Sequence, residues 1–106
     1  MTTYLLNTPI LTSFGEWKFD GPITTEQAKL HIAQGFESAI GHETSAHFLS
    51  QLLNTEVPMN RISVTMQEGD SAIVLRIKSR LPEGKLLTHE EIASIPYELG
   101  YLIRTK

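Results

Sequence analysis

The stretch "RISVTMQEGDSAIVLRIKS", residues 61–79, constrains the fold more than any other part of the chain. Ile62, Val64 and Met66 alternate with polar residues, the period of a strand with one buried face. Beyond "QEGD", Ile73, Leu75 and Ile77 alternate in the same way. Two such runs around a short acidic turn containing glycine predict a β-hairpin.

Helical signals surround this pattern. "TTEQAKLHIAQG" reads as a helix, with Thr24 and Gln27 placed for a capping box and Gly35 as its C-terminal stop. In "GHETSAHFLSQLLN", Ala46, Phe48, Leu49, Leu52 and Leu53 share one helical face, and Asn54 with Pro58 ends the helix. Thr88 and Glu91 suggest a second capping box over "HEEIAS". "TYLLN" and "YELGYLIRTK" read as opening and closing strands. "EWKFD" reads as a strand stopping at Gly21-Pro22, with Trp17 and Phe19 in the core. "FESAI" is too short to assign, and "RLPEGKLL" reads as a polar loop. Strands and helices mixed along 106 residues predict one α/β domain over 1–106, a mixed central sheet of about five strands with flanking helices.

Composition excludes several functions. With no cysteine there is no disulfide, thiolate metal site or thiol nucleophile, as befits a cytoplasmic protein. No basic stretch precedes a long apolar run at "MTTYLLNTPI", and no apolar run approaches the roughly 18 residues of a membrane span. A net charge of −3 argues against duplex DNA as a partner, but it leaves room for a small anion held by a few cations.

The candidate chemistry centres on His42. His42, Glu43 and His47 look like a zinc-protease signature, but the histidines are five residues apart rather than four. That spacing places them about 140° apart around a helix, so they cannot share a metal. On the wheel His42 lies where the core face meets the helix N-terminus, and His47 faces water. A helix N-terminus favours a phosphate, and Gly41 would let one approach the backbone. A structural histidine near a cap is the plainer alternative, which periodicity alone favours. If the hairpin forms, Arg61 and Arg80 lie at adjacent strand ends, where paired guanidinium groups would suit phosphate oxygens. As surface arginines on a sheet rim they would do nothing of the kind. Glu83, in a loop, is either simply exposed or placed to act on a ribose hydroxyl. Asn7, at a strand end, either closes a turn or contacts a base or sugar. His31 and His89 have no partner at metal-ligand spacing, and no glycine-rich phosphate loop is present.

Taken in order, these residues form a pattern. Gly41-His42, Glu43-Thr44-Ser45, Asn60-Arg61, the turn "QEGD", Arg80-Leu81 and Glu83-Gly84-Lys85, after an opening "LLN" ending in Asn7, resemble the viral ring nucleases. Those anti-CRISPR enzymes destroy cyclic tetra-adenylate, the ring by which type III CRISPR systems switch on defence nucleases. The likeness lies mostly in residues 39–91. It implies a homodimer with the ring bound across its interface and no metal or cofactor. It also implies His42 as the catalytic residue, Arg61 and Arg80 as phosphate contacts, and Glu83 as a further active-site group. Asn7 and Gly41 would then face substrate. Glu43 departs from the family's usual aspartate, Pro82 stands where a glutamate is common, and the serine expected after Asn7 has no clear equivalent among Thr8, Thr12 and Ser13.

The chemistry suits these residues. Attack by a ribose 2′-oxygen on its neighbouring phosphodiester needs in-line geometry, charge stabilisation and an acid for the leaving 5′-oxygen. A histidine is a natural acid, contributing roughly 10²–10⁴-fold. A cyclic-oligonucleotide sponge or sensor on the same scaffold, or a protein-interaction module, are the alternatives.

Overall fold

The computed structural model describes residues 2–8, 11, 13–78 and 88–106. Eight elements follow one another: β1 (Thr3–Leu6), β2 (Trp17–Ile23), α1 (Thr25–Ile32), β3 (Glu37–Ser38), α2 (Glu43–Leu53), β4 (Ser71–Ile77), α3 (His89–Ser94) and β5 (Tyr97–Arg104). The strands form one mixed sheet in the order β2-β5-β4-β1-β3. β1 runs parallel to both β3 and β4, while β5 is antiparallel to β4 and β2. The expected α/β class and five-stranded sheet are therefore present.

The two faces of the sheet are covered differently. On one, α1 and α2 lay Ala28, Ile32, Ala46, Phe48, Leu49 and Leu53 over Leu5, Ile73, Leu75 and Leu99. On the other, Leu6, Ala72, Val74 and Leu102 pack with Met66, flanked by Val64 and Trp17. β4 is thus buried on both sides, as a strand between two neighbours under two layers must be.

Local signals hold where they were strong. Thr24 caps α1 in a reciprocal box with Gln27, and Gly35 turns the chain beyond it at φ +120°. Thr88 and Glu91 make the second box before α3.

Three expectations about the strands fail. The first is the hairpin. Residues 61–67 form no strand, because both edges of β4 are already taken by β1 and β5. The turn itself exists: the Asp70 N–H donates to the Gln67 carbonyl at 3.0 Å, with Gly69 at φ +90°. Alternation of Ile62, Val64 and Met66 comes instead from extended chain lying on the second face of the sheet, where Met66 is buried, Val64 half-buried and Ile62 exposed. Next, β2 does not stop at Gly21-Pro22. It continues to Ile23 through a register shift and a cis Gly21-Pro22 bond. Finally, Phe19 is 53% exposed rather than in the core, because β2 is an edge strand. Its ring lies over Gly100 of β5, and any side chain there would run into it.

Candidate functional site

β1, β3 and β4 are parallel, so their carboxyl ends share one edge of the sheet. In open α/β sheets that edge is where ligands bind. Asn7 follows β1 directly and is half-buried, and Gly41 and His42 follow β3.

His42 is the N-cap of α2, with extended backbone (φ −131°, ψ 132°), and its side chain makes no capping hydrogen bond. Its carbonyl accepts the first helical bond, from the Ala46 N–H at 3.0 Å. The imidazole is exposed. A helical wheel places this residue wrongly, because the 100° step does not apply to a cap outside helical φ/ψ. His47, expected to face water, is half-buried and engaged with the rest of the protein. An N-cap that leaves the first-turn N–H groups unmet by its side chain presents donors and a partial positive charge outward. Glu43, in that first turn, supplies a compensating negative charge.

Arg61 reaches the same place from a distant part of the chain. After α2 the backbone turns at Asn54, held in the left-handed conformation at φ 50°. Ser50, in α2, accepts from the Val57 N–H at 2.9 Å and donates to the Ala46 carbonyl at 2.8 Å, which draws the returning chain against the helix. The chain then runs beside β3. The Asn60 N–H donates to the Ile40 carbonyl at 2.8 Å, and the Asn60 side-chain amide donates to the Ser38 carbonyl at 2.8 Å. One residue on, the Arg61 guanidinium donates through Nη2 to the Gly41 carbonyl at 3.1 Å and is otherwise exposed. An arginine with donors to spare is therefore held on the residue that precedes the histidine at the N-terminus of α2.

Arg80 and Glu83 lie outside the described residues. The hairpin that would have set Arg80 beside Arg61 does not form, so that route to their pairing is gone. What remains is the position of β4, whose carboxyl end at Ile77 lies on the same edge as Asn7 and Gly41. Sequence reasoning missed Asn60 as more than a motif letter, since its partners Ser38 and Ile40 are some 20 residues away. His31 lies at the other end of the sheet, stacked on Tyr101 at 4.0 Å, in an open groove of about 780 Å³ that also includes Thr3 and Ser71. Among the described residues, no three His, Asp or Glu side chains are grouped to hold a metal, and no helix is long and apolar enough to cross a membrane.

The chain as a whole is similar to known proteins. The STIV B116-like family model matches residues 3–99. The uncharacterized protein ORF117 of Acidianus two-tailed virus is 42% identical over 97% of this chain and 93% of its own length. The uncharacterized protein YddF of Bacillus subtilis is 31% identical over 98% of both chains. Among solved structures, B116 of Sulfolobus turreted icosahedral virus superposes with a TM-score of 0.82 at 25% identity, over 98% of this chain and 100% of that one.

Proposed function

The chain belongs to the STIV B116-like family, which includes viral proteins, and within it we propose a metal-independent ring nuclease that binds and cleaves cyclic tetra-adenylate, counteracting type III CRISPR defence. The observation that carries this reading is the Arg61 guanidinium held on the Gly41 carbonyl, one residue before His42 at the N-terminus of α2, at the carboxyl edge of parallel strands. Both residues are exposed, so a ligand could reach them from solvent.

In this reading a ring phosphate sits at the N-terminus of α2, met by backbone N–H groups and by the free donors of Arg61. The adjacent ribose 2′-oxygen attacks that phosphorus, the bond to the 5′-oxygen breaks, and His42 gives its proton to the departing oxygen. The 2′-hydroxyl proton leaves to solvent or to Glu83. The product is a linear adenylate ending in a 2′,3′-cyclic phosphate, with a free 5′-hydroxyl at its other end. Asn7, half-buried at the end of β1, meets a sugar or base, and Arg80 a further phosphate.

A two-fold symmetric ring suits a two-fold symmetric homodimer. Met59 and Ile62, which are 54% and 41% exposed, flank Arg61 and offer apolar surface for such a partner beside the site. The test is a His42→Ala variant with the ring as substrate. Binding should persist and cleavage should stop. Cleavage at the wild-type rate would end the proposal, and binding without cleavage by the wild-type protein would make it a sponge or sensor instead.

A further inference from the structure

The segment that delivers Arg61 has its own fastening, and its parts are not those of an ordinary strand. β3 is only two residues long and lies at the edge of the sheet, with β1 on one side. On its open side, residues 58–60 run along it. Ser38, 4% exposed, donates its hydroxyl to the Pro58 carbonyl at 2.6 Å and accepts from the Ile40 N–H at 3.4 Å. Asn60 bonds twice, through its backbone N–H to the Ile40 carbonyl and through Nδ2 to the Ser38 carbonyl, each at 2.8 Å. The side-chain amide thus takes the place of a backbone N–H that a neighbouring strand would have supplied. The next bond in the series is from Arg61 to the Gly41 carbonyl at 3.1 Å.

We infer that Asn60 and Ser38 are positioning residues, which zip residues 58–61 onto 38–41 and so hold the Arg61 guanidinium on the Gly41 carbonyl, one residue before His42. Neither touches a ligand in this scheme; they act through Arg61. An arginine side chain loses much rotational freedom when it grips a phosphate, and one whose backbone and first contact are already fixed loses less on binding. No apolar residue of Asn60's size could do the same, because the Ser38 carbonyl would be left buried without a partner. The structural part of this inference stands on the hydrogen bonds alone, while its effect on turnover rests on the ring-nuclease reading.

The experiment has two arms for that reason. In the free protein, ¹⁵N relaxation of the Arg61 Nε–H should show an ordered side chain in the wild type and a mobile one in Asn60→Ala. Ser38→Ala, which removes only the hydroxyl, is the milder version should Asn60→Ala fail to fold. Arg61 equally ordered, or equally mobile, in wild type and variant would overturn the inference whatever the protein does to a ring. In the second arm, Asn60→Ala should raise KM for cyclic tetra-adenylate about tenfold, the lower end for loss of a charge-assisted contact, with kcat within about threefold. In an Arg61→Ala background the same change should leave KM unmoved, since the positioned group is gone. An equal effect in both backgrounds would show Asn60 to be merely structural and refute the positioning role. If Arg61 is ordered by Asn60 but the wild-type protein neither binds nor cuts the ring, the positioning stands and the proposed function falls.

Discussion

Replacing Gly41 by alanine separates what the fold needs at this position from what a ligand needs. A methyl group here would lie 3.5 Å from Arg61 Nε and 3.8 Å from its Cγ, ordinary contact distances. Among the described glycines, positive φ is found at Gly15, Gly35 and Gly69 and not at Gly41, so no backbone strain follows. The free protein should therefore lose nothing. It should gain about 0.4–1 kcal/mol by restricting the unfolded chain, a rise in Tm of about 2–8 °C. Ring binding should behave oppositely. The methyl would stand between a phosphate and the backbone at the start of α2, at a cost of roughly 10–150-fold in affinity if one charge-assisted contact of about 1.5–3 kcal/mol is lost. Thermal melting and a binding titration on the same sample read both effects. Gly15→Ala is the contrasting control, because its φ is +149° and a methyl there would collide with the Lys106 backbone oxygen, so it should lower Tm. If Gly41→Ala melts well below wild type, the local geometry is wrong. If it melts as expected and binds the ring as tightly as before, no phosphate comes near residue 41.

Other outcomes follow from the same structure. Arg61→Ala should weaken ring binding by roughly 10–150-fold and leave the melting temperature nearly unchanged, since the residue is exposed. Light scattering should give a dimer mass with the ring bound, and a monomer mass would count against a site completed by a partner. Asp70, 5% exposed, accepts from the Thr2 and Gln67 N–H groups at 2.8 Å each, so Asp70→Ala should cost at least about 3 kcal/mol in chemical denaturation, or roughly 12 °C or more in Tm. Burial first, and then the Asp70 and Glu37 carboxylates, pushes the Tyr4 hydroxyl above its ordinary value of 10.0. A raised folded-state value means this contribution is fully present below pH 10.0 and is lost as pH climbs from there through the folded value. Tyr4→Phe should flatten that alkaline loss in denaturant titrations.

Short-range signals in the sequence were legible because their physics is local. Both capping boxes need only residues three apart, and both are present. The apolar face of α2 was legible for the same reason, with Ala46, Phe48, Leu49 and Leu53 buried and Leu52 packed at the margin. Misreadings arose where a pattern has two physical causes. Alternation at Ile62, Val64 and Met66 is what a strand shows, but also what an extended segment lying on a sheet shows. Only the pairing of β4 with β1 and β5, between residues far apart in sequence, decides which. In β4 itself, Ala72 and Val74 were overlooked beside Ile73 and Leu75, since a run buried on both faces hides half its core in an alternating reading. His42 was read as a helix residue when it is the cap, one step outside the region where the wheel applies. The fastening by Ser38 and Asn60 left no local trace, because each bond spans about 20 residues.

The central claim is that the substrate supplies its own nucleophile, and the first-formed product tests it most directly. Cyclic tetra-adenylate is incubated with the pure protein in excess EDTA and ¹⁸O-labelled water, and the products are resolved by mass spectrometry at early times. The predicted product is a linear adenylate ending in a 2′,3′-cyclic phosphate, one water lighter than an open phosphate and free of ¹⁸O, while a 2′-deoxy ring is bound but left whole. Label in the first-formed phosphate, cutting of the 2′-deoxy ring, or activity lost to EDTA and restored by a divalent ion would contradict the account.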